Sequence, residues 1–166
     1  MMFASVVCSA TPARADDIVL RWNEIATRTA TATTPFNQAR VTAIVQLAVF
    51  EALNAVTGEY EPYLNPATTA PVGTSGDAAA ITAAHRVLTT YFPAPAVVAA
   101  LNSARDSDLA AIPNGAAKSA GITVGVGSAV RCNRLLDRSP ISELAHPAYA
   151  HRDRPRDSTF GPVPKR

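Results

Sequence analysis

Apolar residues recur every three to four positions along most of this chain and never alternate strictly, so the pattern predicts helices and no strands. Ile18, Trp22, Ile25, Ala26 and Thr29 share one helical face, with Arg21, Glu24 and Arg28 elsewhere on the wheel. Asp16 and Asp17 precede this run, where a carboxylate accepts the free N–H groups of a first turn and suits its positive end. The threonine-rich stretch TATATT closes it, and Thr34-Pro35 restarts the chain with a capping hydroxyl followed by proline at the first helical position. From Val41 onward apolar residues cover almost the whole circumference, which marks a central helix over about 35–57, buried on most sides and ended by Gly58.

Residues 59–76 hold three prolines and two glycines and cannot continue a helix. Tyr60, Tyr63 and Leu64 suggest a loop packed against the body. Asp77 is placed to cap the next helix, which Pro93 stops; Pro95 opens another, and Pro113-Asn114-Gly115 forms a turn. A last helix is expected from Ala116 to Val130, and its Gly121, Gly125 and Gly127 each cost about 1 kcal/mol against alanine unless they admit a close neighbour. The fold class is therefore all-α: about five helices around a buried central one, with an irregular C-terminal tail.

Composition adds two things. Hydrophobic residues make up 48% of the 166 and charged residues 17%, below the usual quarter or so of charged residues, so part of this surface is expected to be covered. Charge is also uneven: residues 1–130 carry seven basic and nine acidic side chains, residues 131–166 eight and four. The basic end alternates with acids and prolines and offers no clustered phosphate-tracking surface, so nucleic acid is not expected as a partner. Five of the thirteen prolines lie there, and the segment reads as a disordered or frame-shifted tail.

The first fifteen residues, MMFASVVCSATPARA, look like the remnant of a secretory signal, with Ala13-Arg14-Ala15 as a small-x-small cleavage site. A disordered cytosolic tail is the alternative. Export to the periplasm or outside the cell is expected, with no uninterrupted membrane span in the remainder. Cys8 falls in this leader, which leaves Cys132 as an incidental thiol without a disulfide or metal framework.

The order of segments is familiar. DIVLRWNEIA is followed by the proline-opened helix with Glu51, Ala52, Asn54 and Ala55, then by Tyr60, Pro62 and Tyr63, then AAITAAHRVLTTYFP and SDLAAIP. Over residues 16–130 this resembles the N-terminal region of bacterial vanadium-dependent haloperoxidases, in the type 2 phosphatidic-acid-phosphatase superfamily. The resemblance implies helices that pack on a second, catalytic helical bundle; self-association is expected instead if the chain is a stand-alone module with an exposed Ala/Val surface. There vanadate is held by a K-x6-R-P, a P-S-G-H and an S-R-x5-H segment, which supply cationic donors, a hydroxyl, a ligating His and a proton-handling His.

None of these segments occurs here. Lys118 and Lys165 are the two lysines, and neither leads into Arg-Pro at the right distance; Arg138 to His146 has the wrong spacing. No catalytic, cofactor-binding or metal residue is assigned, and vanadate is expected only in a complete family protein.

The tempting residues have plainer readings. His85 reads as a packed or rim histidine before a ligand. Glu51 and Asn54, three apart on one helical face, read as acceptors for a loop or helix end before a raised-pKa acid. Glu59 and Glu61, and Asp106 and Asp108, read as solvated charges. His146 and His151 have no third ligand beside them. The leading expectation is a non-catalytic helical N-terminal region of a haloperoxidase-like protein; the others are a stand-alone exported interaction module and, last, a small hydrolase.

Overall fold

The computed structural model describes residues 17–64 and 69–137. Residues 1–16, 65–68 and 138–166, which include the expected leader over 1–15 and most of the expected tail over 131–166, with Cys8, Arg138, His146, His151 and Lys165, lie outside the described residues. Five α-helices follow one another: α1 (Ile18–Ala30), α2 (Pro35–Thr57), α3 (Gly76–Tyr91), α4 (Pro95–Ala110) and α5 (Ala116–Asp137). No strand occurs among the described residues. The all-α expectation is what the structure shows.

The local signals act as the sequence predicts at most helix ends. The Asp17 carboxylate accepts from the Val19 amide at 2.9 Å, and Thr34 with Pro35 opens α2. Gly58 closes α2 in the left-handed region at φ 65°, and its amide donates to the Asn54 carbonyl at 2.8 Å. One cap differs. Ser75, not Asp77, caps α3, its hydroxyl accepting from Ala78 N at 3.2 Å. Asp77 sits in the first turn, where its charge complements the helix dipole.

α2 lies in the core as expected, with Val41, Ile44, Val45, Ala48 and Val49 among its buried residues. By length and composition it also meets the requirement for a membrane crossing, a point its apolar run did not suggest; half of its most apolar stretch is buried inside this fold. α3 shares the centre and is the more enclosed: Ala78 through His85 are buried without a break, and it touches all four other helices.

α2 and α3 run antiparallel, since Ala70 N bonds Ala55 O at one end and Arg40 stands 5.9 Å from the Tyr91 ring at the other. α3 and α5 run parallel, with α4 carrying the chain back between them. Gly121 faces Ser75, Ala78 and Ala79, Gly125 faces Ala79, Thr82 and Ala83, and Asn133 reaches Thr90. A Cβ at Gly121 would press on the Ser75 carbonyl oxygen and lie 2.8 Å from the Ala78 Cβ; one at Gly125 would press on the Ala79 carbonyl and lie 2.9 Å from the Thr82 Cβ. Both glycines therefore admit the close neighbour that offsets their helix cost, whereas Gly127 faces open space.

The last helix is expected to end at Val130, but α5 runs on to Asp137. The stretch 131–137 contains neither proline nor glycine. Cys132, four residues on from Ser128, continues the buried face and is itself fully buried.

Candidate functional site

Glu51 and Asn54 leave the last turns of α2 on one face, three residues apart, and both side chains are buried. Gly58 turns the chain back over them, so the loop that follows passes within reach of both. Asn54 takes hold of one residue from both sides: its Nδ2 donates to the Tyr60 carbonyl at 2.8 Å, and its Oδ1 accepts from the Tyr60 amide at 2.9 Å. Glu51 Oε1 accepts from the amides of Tyr63 at 2.7 Å and Leu64 at 3.1 Å. Its other oxygen lies 3.7 Å from the Arg131 guanidinium of α5.

These bonds satisfy amides that the irregular loop would otherwise bury or expose unpaired. They seat Leu64 in the core and leave the rings of Tyr60 and Tyr63 outside, 65% and 70% exposed. Phe50, one helical turn before Asn54, approaches the Tyr60 ring at 6.2 Å. Glu59 and Glu61 flank Tyr60 as exposed charges, in line with their sequence reading. A cavity of about 210 Å³ lies under the loop, lined by Glu51, Asn54, Gly58, Tyr60, Pro62 and Thr69.

The chemistry this arrangement supports is that of a clamp. The Glu51 oxygen that faces the loop is occupied by two amides, and the other faces a guanidinium, so the carboxylate is held as an acceptor. Cys132 is buried on α5, and burial first, then the Glu51 carboxylate, pushes its thiol up to about 12, with Arg131 acting against them. It stays a thiol at neutral pH. No group of three or more His, Cys, Asp or Glu side chains suited to a metal ion occurs among the described residues.

A second polar cluster joins α1, α3 and α4. The Trp22 ring is fully buried, and its Nε1 donates to Asp108 Oδ2 at 3.0 Å. Arg21 Nε donates to the same carboxylate at 2.9 Å. Asp108 is thus not the solvated charge its place on the helix wheel suggests: its side chain is 10% exposed and fastens α4 to α1. Asp106 does face solvent and pairs with Arg105 at 2.7 Å. His85 is buried with Nε2 2.8 Å from Asn102 Oδ1, and its ring meets Trp22 edge-on at 6.3 Å between centroids. Burial lowers its pKa against the raising effect of the Asn102 bond. It is a packed histidine. Lys118 caps the α4–α5 turn, donating to Ile112 O and Asn114 Oδ1.

Sequence reasoning finds Glu51 and Asn54 because a polar pair on an apolar helix just before a turn has to bind something. It misses Arg131 and Asp108, whose partners lie 80 and 86 residues away and leave no local signal. No family model matches the chain, and neither curated proteins nor solved structures provide a match.

Proposed function

We propose that residues 16–130 form the N-terminal helical region of an exported, vanadium-dependent haloperoxidase-like protein, with a packing role and no chemistry of its own. One observation carries this reading. Glu51, Asn54, Tyr60, Pro62 and Tyr63, the residues on which the family resemblance was drawn, come together as one hydrogen-bonded loop clamp. Their grouping gives the motif a structural purpose: it fixes a loop that displays two tyrosine rings on the outside, one of them beside Phe50 of α2. Exposed aromatics on a rigid support suit docking onto another helical body.

Vanadate, and with it peroxide-driven halide oxidation or phosphate-ester hydrolysis, belongs in this proposal to the catalytic bundle that such a region packs against. The purified protein should show no vanadate-dependent bromination or phosphatase turnover above a heat-treated control. Turnover well above that control would overturn the non-catalytic reading. The same exposed rings also favour a stand-alone exported interaction module. Sedimentation separates the two: a compact, monodisperse monomer or dimer supports the module, and aggregation supports a region built to be covered.

A further inference from the structure

Of the sixteen residues of α4, Leu101 alone is buried, and the helix meets the rest of the fold chiefly along α3. It enters after Pro93 and leaves through Pro113-Asn114-Gly115, so both of its connections are breaks in helical structure. Two polar contacts fasten it. Asp108 receives Trp22 and Arg21 of α1 at one end, and Asn102 meets the buried imidazole of His85 near the middle.

We propose that His85 is a pH-sensitive latch that holds α4 on the α1–α3 face while its imidazole is neutral and releases the helix on protonation. The contact with Asn102 does not itself break, since Nε2–H donates to Oδ1 in either protonation state. What changes is the cost of keeping the ring where it is. A protonated ring would be a cation enclosed by α4, edge-on to Trp22, in a site that removes most of its water.

The charges acting on it are Arg105 and Asp106 from α4 and Arg86 from α3, two cations against one carboxylate. α1 faces the ring with Trp22 and keeps Arg21 on Asp108. Arg40 of α2 stands over Tyr91, nearly two turns along α3, and Arg131 of α5 lies by Glu51. When α4 swings away, the ring regains water, which is the larger effect, and Arg105 and Asp106 leave together as one opposing and one favouring charge.

The sign follows. His85 has a lowered pKa with α4 docked and an ordinary one, about 6.5, once solvated. The released state therefore binds the proton more readily. Docking is at full strength above about pH 6.5 and weakens as pH falls below it, by up to about tenfold per pH unit for one proton.

Amide hydrogen exchange on the full chain from pH 7.5 to 5, corrected for intrinsic rates, tests this. Amides of Pro95–Ala110 should lose protection at that slope below about pH 6.5, while those of α2, α3 and α5 keep theirs. Emission from Trp22, the single tryptophan, should change over the same range. His85→Gln keeps a donor for Asn102 but cannot titrate, and should flatten both curves. Protection of α4 that ignores pH, or that falls together with α3 and α5, overturns the proposal. So does the same loss in His85→Gln, which would assign the effect to carboxylates. Should that variant not fold, the wild-type His85 ring resonances decide: they must titrate in step with α4 exchange, and a mismatch is equally fatal.

Discussion

Replacing Glu51 by alanine removes the acceptor for two loop amides and the carboxylate facing Arg131, and leaves those amides near the core with nothing to bond. Hydrogen bonds to a charged acceptor contribute about 1.5–3 kcal/mol each. The Tyr63 bond is only part-buried while the Leu64 bond is buried, so the lower half of that range applies and Glu51→Ala should cost about 3–4 kcal/mol. Glu51→Gln is the informative comparison. Its amide oxygen can still accept from both backbone groups, now as a neutral partner contributing about 1 kcal/mol per bond, so the loss should be about 1–2 kcal/mol. Urea unfolding reads the difference: with a slope of about 1.5 kcal/mol per molar, the midpoint should fall by about 2 M for alanine and about 1 M for glutamine. The clamp reasoning fails if alanine unfolds within about 0.5 kcal/mol of wild type, a shift typical of an unimportant surface site. It fails too if glutamine is as costly as alanine, because the backbone acceptor role would then not be what matters.

The two glycine environments predict opposite signs. Gly125→Ala should destabilise by about 1–2 kcal/mol, because overpacking against the α3 backbone outweighs the gain in helix propensity, while Gly127→Ala, facing open space, should stabilise by about 0.5–1 kcal/mol; paired thermal melts check both. Trp22→Phe keeps an aromatic core but leaves Asp108 without its indole donor, for an expected loss of about 1–3 kcal/mol. An equal loss in a protein already carrying Asp108→Ala, which has no side-chain acceptor, would show that the indole bond plays no part. Cys132, with its thiol pushed up to about 12 and buried, should resist a thiol-labelling reagent at pH 7.5 and react promptly in urea. Fast labelling at Cys132 of the folded protein, scored apart from Cys8 by peptide mass, would contradict the packing of α5.

Much of this fold is legible because its instructions are local. Thr34-Pro35 and Gly58 each fix a helix end through a bond to a residue a few positions away. The Ser75-Gly76-Asp77 stretch is harder, since it offers two capping side chains in succession. The structure settles on Ser75, whose amide also donates to the Ala117 carbonyl of the start of α5 at 3.0 Å. That bond joins segments far apart in sequence, so nothing nearby announces it. The end of the last helix is read short, at Val130, for a different reason: the prolines of 140–164 dominate the average over the whole basic end and mask seven residues of ordinary helix before them.

At the site, Glu51 and Asn54 are readable as a pair that must bind a loop, and their register on α2 gives their shared face. Their partners on the loop follow from Gly58, which sends the chain back the way it came. The role of Asp108 is not readable in this way. A helix wheel assigns it to the outside of α4, but the outside of one helix is the inside of the bundle where α1 crosses it.

The seam between α3 and α5 also limits how this protein can diverge. At Gly121 and Gly125 the obstacle is main-chain carbonyl oxygen, which no change of a neighbouring side chain can move aside. Most core positions can drift in pairs, a larger residue on one side answered by a smaller one on the other. These two positions have no such exchange open to them. A descendant that lost either glycine would have to slide one helix along or away from the other, carrying Arg131 off Glu51 and loosening the loop clamp at a distance. The spacing of two hydrogen-only side chains is thus a heritable constraint on a site that neither of them touches.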